Sequence, residues 1–334
     1  MTGSTAPDAD AVTIASLPPE LLTDIFSHLY TTLEPDLDSL KSATLVCSSW
    51  RDSAQRLVWA AGAELQDEND LSLYVSSAGR RRGGPKEIAV HGYKETGTLE
   101  RLFGVCGGLR WLMINLSSEQ RFEPETLARP EMADLRTLIV QASLLPISPE
   151  TTFPFTSLRT LVLADLSFRS PHLSTLLTSL HSSGLPSLRS ISLPNFSPSA
   201  NSAIAEALLL FAPQLDHLGL SIPSLNTYAK PFLPVLAAAT RLSTFECTAL
   251  PFNLLAVLPP SLTVLATKED APNLDAERLA ETFERLKDLK RLYFALSRFD
   301  FLQQVKGARR LLEAMDLRGV DWRFEGEEEE DGGE

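Results

Sequence analysis

Apolar positions follow two different rhythms along this chain, and the change comes near Pro85. Before it the spacing is helical. Leu21, Leu22, Ile25, Phe26 and Leu29 recur at intervals of three and four residues, which predicts a helix. Pro18 and Pro19 suit its first turn, where the N–H that proline lacks has no partner to lose, and Ser16 can cap it. A loop around Pro35, running from Tyr30 to Ser39, leads to a second apolar group at Leu40, Leu45, Val46, Cys47 and Trp50. The segment from Val58 to Leu65 can run into a short strand, and residues 70–78 suit another helix. Gly79 to Pro85, which carries Arg80, Arg81 and Arg82, is a loop.

After Pro85 an apolar triplet at positions one, four and six recurs. Its copies are Leu109–Leu112–Ile114, Leu135–Leu138–Val140, Leu158–Leu161–Leu163, Leu188–Ile191–Leu193, Leu215–Leu218–Leu220, Leu242–Phe245–Cys247, Leu262–Leu265–Thr267 and Leu289–Leu292–Phe294. Ile88–Val90 is a degenerate first copy and Leu317–Val320–Trp322 a possible last one. The steps of roughly 20 to 30 residues are those of leucine-rich repeats. Such a triplet points inward from a short strand and the turn leading into it, while the residues between point outward. The intervening segments carry helical stripes, such as Leu173, Leu176, Leu177 and Leu180, or Ile204, Leu208 and Phe211. Strand and helix repeated with short right-handed crossovers give a parallel sheet with helices along one side. No single unit buries its own face, but stacked units share one core. A doubly wound nucleotide-binding fold also alternates strand and helix, but it requires a glycine-rich turn after an early strand. Here Gly104–Val105–Cys106–Gly107–Gly108 follows a helical pattern and reads as a helix stop.

The first helix has more apolar surface than one core uses. A helix lying on a single core needs an apolar face of roughly a third of its circumference. Here the apolar residues come in adjacent pairs, and Leu17 and Pro18 extend the patch. Either the helix is buried on two sides within its own domain, or one side meets a partner. The repeats already form a separate core without this helix, which favours the partner.

Taken with its continuation, the stretch Leu17–Pro18–x–Glu20–Leu21–Leu22–x–x–Ile25–Phe26–x–x–Leu29, then Leu40 and Leu45–Val46–Cys47–x–x–Trp50–Arg51, resembles an F-box motif. With the repeats, the whole chain resembles an F-box/leucine-rich-repeat protein of the divergent kind abundant in fungi. The repeats depart from the usual pattern, since Ser117, Leu166 and Phe196 stand where an asparagine or cysteine is expected. The loop after Leu29 is also longer than usual. The resemblance implies an α/β fold, with an N-terminal helical F-box followed by a curved leucine-rich-repeat solenoid whose parallel strands line the concave face. The expected divisions are residues 1–15 as a disordered start, 16–61 as F-box, 62–324 as solenoid and 325–334 as an acidic tail. By the same resemblance, Leu17, Pro18, Leu21, Leu22, Ile25, Leu29, Leu45, Val46 and Trp50 would dock the Skp adaptor of a cullin–RING ubiquitin ligase. Part of that set would instead pack the small helical core.

Composition narrows the remaining chemistry. The net charge of −13 argues against a phosphate-backbone binder, so no nucleic acid is expected. No apolar stretch is long enough for a bilayer, and the first residues lack the basic start of a secretory signal, so no membrane partner is expected. Three scattered cysteines, Cys47, Cys106 and Cys247, suit a reducing compartment, which places the protein in the cytoplasm, the nucleus or both. The five histidines stand in no metal or triad spacing. The expectation is a non-catalytic adaptor without cofactor, holding an unknown protein substrate. The outward strand positions offer candidates for that contact: Trp111, Thr137, Thr160, Ser190, His217, Thr244, Glu246, Arg291 and Tyr293. Beside them, Lys86, Arg110, Arg136, Arg159 and Arg189 each follow the first repeat position. They read either as a rim for an acidic or phosphorylated partner or as a solvated edge, and the break at Asp216 favours the edge.

Overall fold

A computed structural model describes residues 18–27, 37–46, 50–51, 54, 62–77, 85–93, 96–166, 172–222, 226–267, 276–295 and 297–324. It holds one long, almost entirely sequential parallel sheet. The strands are β1 (Ala63–Leu65), β2 (Glu87–Val90), β3 (Trp111–Asn115), β4 (Arg121–Phe122), β5 (Thr137–Leu144) and β6 (Thr160–Asp165). They continue as β7 (Ser190–Asn195), β8 (His217–Leu220), β9 (Thr244–Cys247), β10 (Val264–Thr267), β11 (Arg291–Phe294) and β12 (Asp321–Phe324). The order in space is the order in sequence, except that the two-residue β4 lies off the path and pairs with β5. Every pairing is parallel, and the register shifts once, between β6 and β7. This is a mixed α/β repeat architecture, consistent with a curved solenoid behind a helical N-terminal segment.

The triplets explain why these residues form strands. All eight full copies are buried, and along β3, β9 and β10 buried positions alternate with half-exposed ones. The buried positions stack from unit to unit. Leu112, Leu138, Leu161, Ile191, Leu218, Phe245, Leu265 and Leu292 occupy one row. The core is continuous from Leu65 to Phe324. No unit closes by itself, so each strand between β1 and β12 on the main path depends on its neighbours on both sides.

The helices are α1 (Pro19–Ser27), α2 (Leu37–Val46), α3 (Glu68–Ser77), α4 (Thr96–Gly104), α5 (His172–Ser182) and α6 (Asn201–Leu209). They continue as α7 (Asn226–Ala229), α8 (Leu233–Ala238), α9 (Phe252–Leu255), α10 (Ala276–Phe283), α11 (Arg298–Gln304) and α12 (Ala308–Arg318). The stripes predicted for α5 and α6 are buried, and α4 stops at Gly104 as its glycine-rich end predicts.

Two expectations need correction. A helix was expected between every pair of strands, but residues 145–159, between β5 and β6, contain none. Pro146, Pro149 and Pro154 remove the N–H groups a helix would use, and Phe153 and Phe155, stacked 5.5 Å apart, fill the space instead. Between β3 and β5 two short 3-10 turns, each opened by a proline, replace the helix. The last triplet was also misplaced by two residues. Leu317 is 88% exposed, because α12 runs on to Arg318 and ends at Gly319 with φ of 66°. The strand begins after that left-handed turn, and Trp322 and Phe324 stand opposite Leu292 and Phe294.

Candidate functional site

The N-terminal helices divide the apolar stripe into an inner and an outer half. Leu22 is 1% exposed and is buried together with Phe26, Ala43 and Ala54. The Phe26 and Trp50 rings meet edge to face at 5.3 Å, which ties α1 to the helical residues beyond α2. None of these residues joins the continuous core of the sheet, so among the described residues the segment packs on itself. Leu21 and Ile25, each one position earlier, are both 49% exposed, and Pro18 is exposed beside them. At the far end of α2, Leu45 is 81% exposed and Val46 61%. Four large aliphatic side chains on a short helical segment thus have no internal packing role to match their size. Of the residues expected at an adaptor, Pro18, Leu21, Ile25, Leu45 and Val46 lie on the surface. Trp50 is half-buried against Phe26, and Leu22 is inside. Leu17 and Leu29 lie outside the described residues, as does the Arg80 to Arg82 loop.

The second candidate surface is the half-exposed face of the sheet. Trp111, Thr137, Thr160, Ser190, His217, Thr244, Val264 and Arg291 are register partners in one row. Met113, Ile139, Val162, Ser192, Gly219, Glu246, Ala266 and Tyr293 form the next. Every substrate-contact candidate therefore falls in one of two adjacent rows. The second row is apolar over β3 to β6 and small or polar beyond, a gradient that sequence spacing did not single out. A Cβ at Gly219 would sit 2.6 Å from Ser192 Oγ and 3.2 Å from Ser192 Cβ, so Ser192 would have to move to admit one.

Chemistry elsewhere is quiet. Among the described residues no group of three or more His, Cys, Asp and Glu could hold a metal ion. His91 Nε2 sits 3.1 Å from Glu64 Oε1, and the His181 ring packs edge to face on Phe211 at 5.2 Å. The Tyr93 hydroxyl donates to the Arg121 carbonyl at 2.8 Å. Burial, and then the nearby Glu123 charge, push its pKa above the usual phenol range. These are structural contacts. No helix among the described residues is long and apolar enough to cross a membrane.

The N-terminal geometry has a counterpart among known domains. Residues 14–61 match a family model described as F-box-like. The F-box-like segment thus contains α1, α2 and Trp50, with both the inner and the outer halves of the stripe. No curated protein matches the chain. Among solved structures, a crystal structure of a protein from Bacteroides fragilis is similar at 13% identity with a TM-score of 0.39. The likeness covers 70% of this chain and 67% of that one.

Proposed function

We propose that this protein is the substrate-receptor subunit of a Skp–cullin–F-box type ubiquitin ligase, and that its repeats are leucine-rich repeats of the divergent kind common in fungi. F-box domains are protein-interaction modules that generally bind Skp adaptors, often in ubiquitin ligases. The observation that carries this reading is the outer half of the stripe: Pro18, Leu21, Ile25, Leu45 and Val46 leave apolar surface on a segment that matches an F-box-like model. A domain this small gains stability by covering that surface. Leu17, Leu29 and Trp50 complete the proposed adaptor contact. The rows on the open face of the sheet would hold a protein substrate, and the chain would raise the local concentration of that substrate beside the ubiquitin-loaded enzyme. No catalysis by the chain itself is required, and a site in the cytoplasm or nucleus suits the role.

The test is capture of purified adaptor by the purified chain, followed by reconstitution with the cullin–RING core. A wild-type chain that fails to capture adaptor, or variants Ile25→Ala and Leu45→Ala that capture it unchanged, would sink the reading. Capture without any substrate turnover in cells would identify a scaffold with an F-box outside ligase work.

A further inference from the structure

The residues just before each strand form a row of their own, fixed by main-chain hydrogen bonds. The carbonyl of Lys86 accepts from the N–H groups of Arg110 and Trp111 at 2.7 and 3.0 Å. Arg110 O accepts from Arg136 and Thr137 in the same way, Arg136 O from Arg159 and Thr160, and Arg159 O from Arg189 and Ser190. Lys86, Arg110, Arg136, Arg159 and Arg189 are therefore successive rungs, about 4.8 Å apart. The first four span about 14 Å on that spacing.

The five are not equivalent. Arg189 is committed: its Nη1 donates to the Pro186 and Leu188 carbonyls at 2.9 Å, and its Nε lies 3.9 Å from Asp216 Oδ2. Asp216 Oδ1 is also 3.4 Å from Arg241, so the break in the row is a closed cluster. Lys86, Arg110, Arg136 and Arg159 are exposed, and among the described residues none has an ion pair or a side-chain hydrogen bond. Arg129, off this row, does pair, at 3.2 Å with Glu100. In a chain with 43 acidic residues and a net charge of −13, four unpaired cations on adjacent rungs are a segregated patch, with one exposed carboxylate, Glu87, at its β2 end. Protection of a sheet edge does not explain them. They precede β2, β3, β5 and β6, which lie inside the sheet with neighbours on both sides, whereas edge protection acts at outer strands. One position along, Thr137, Thr160 and Ser190 are half-exposed, and their hydroxyls have no hydrogen-bond partner among the described residues.

From this geometry we infer that the rim over β2 to β6 binds an extended Asp- and Glu-rich segment of a partner polypeptide. The four residues stand in a line at single-strand spacing along the main chain rather than around one point. A line suits successive single charges, whereas one phosphate dianion is held by converging donors. An extended chain advances about 3.4 Å per residue, so four or five residues cover the free rungs. The neighbouring hydroxyls supply donors to the same carboxylates. A nucleic-acid duplex, with a charge for about every 1.7 Å of axis, far exceeds what four cations on an acidic protein can offset. The inference names the chemistry of the segment that the proposed receptor would recruit. It rests on that reading for its use, but the binding is tested without adaptor, so either can fail alone.

The experiment titrates the full chain into a fluorescein-labelled peptide, six consecutive glutamates within Gly/Ser flanks, and reads anisotropy at about 50 and about 200 mM salt, where screening differs strongly. Saturable binding is expected, weaker at the higher salt. The triple variant Arg110→Gln/Arg136→Gln/Arg159→Gln should lose roughly tenfold or more, as three of the four attractions are gone. The control Lys306→Gln/Arg309→Gln/Arg310→Gln removes the same charge from exposed positions around the start of α12 and should bind within about twofold of wild type. Absence of saturable binding by wild type overturns the inference, as does an equal loss in the control. A singly phosphorylated serine peptide or an oligouridylate that binds about ten times more tightly than the glutamate peptide also overturns it, in favour of a phosphate site.

Discussion

Truncating Leu45 separates docking from folding more cleanly than any other single change. Its side chain is 81% exposed, so Leu45→Ala removes almost nothing from the packed interior. Fully burying a leucine side chain is worth about 1.5–3 kcal/mol, and truncation to alanine deletes most of it. Scaled by the exposed fraction, covering Leu45 with a partner contributes about 1.5 kcal/mol, or roughly tenfold in Kd. Ile25, at 49% exposed, scales to about 1 kcal/mol, or about fivefold. Both figures are upper values, since ordering costs on association offset part of the area gained. Leu22→Ala provides the contrast. Leu22 is 1% exposed, so its truncation leaves a cavity and destabilises the helical segment by about 2–5 kcal/mol. The assay is calorimetric titration of the full chain with purified Skp adaptor, with the fluorescence of Trp50, in a background carrying Trp59→Phe, Trp111→Phe and Trp322→Phe, as a monitor of packing against Phe26. Leu45→Ala and Ile25→Ala should weaken binding with the fluorescence unchanged, and Leu22→Ala should alter both. If Leu45→Ala and Ile25→Ala bind within twofold of wild type, the outer half of the stripe is not the docking surface.

Three further outcomes follow from the repeats. Phe245 is fully buried in the central row, so Phe245→Ala should cost about 3–5 kcal/mol and lower the urea midpoint of the solenoid; an unchanged midpoint would contradict the shared core. Gly219→Ala should cost about 1–3 kcal/mol through its clash with Ser192, and Ser192→Gly should recover most of that loss in a double-mutant cycle. Additive effects would show that the two do not touch. Ser297 caps α11, its Oγ accepting from the Asp300 N–H at 3.1 Å. Ser297→Ala should cost about 1 kcal/mol, whereas Ser297→Asp should retain the cap, as read by hydrogen exchange across Arg298–Gln304.

The repeat fold was legible because a rigid spacing carries it: residues one, four and six of each unit close the core, and all are apolar but Thr267. The spacing misled only where another signal overrode it. Leu317 has the right character for a triplet, but it belongs to the end of α12, and the left-handed Gly319 resets the strand by two residues. Three prolines defeated the helix expected in residues 145–159. Division of the F-box-like stripe was not legible at all. Leu21 and Leu22 sit about 100° apart on a helix, as do Ile25 and Phe26. Which of each pair turns inward is decided by the contact of Phe26 with Trp50, remote in sequence. The pairing of Arg241 with Asp216 across neighbouring units was invisible for the same reason. It changes the meaning of the break in the basic row from an interruption to a terminus.

The clasp between successive units has one more consequence. From Lys86 to Thr263 each carbonyl before a strand holds two N–H groups of the next unit; up to Arg159 main chain alone fastens the rim, and beyond it the Ser243 and Thr263 hydroxyls add a bond each. The side chains along it, from Lys86 through Arg159, therefore bear no part of the fastening. A scaffold of this kind can be rewritten along that line, one residue per unit, without renegotiating its architecture. Its charge lettering can diverge quickly between related chains while the buried triplets hold still.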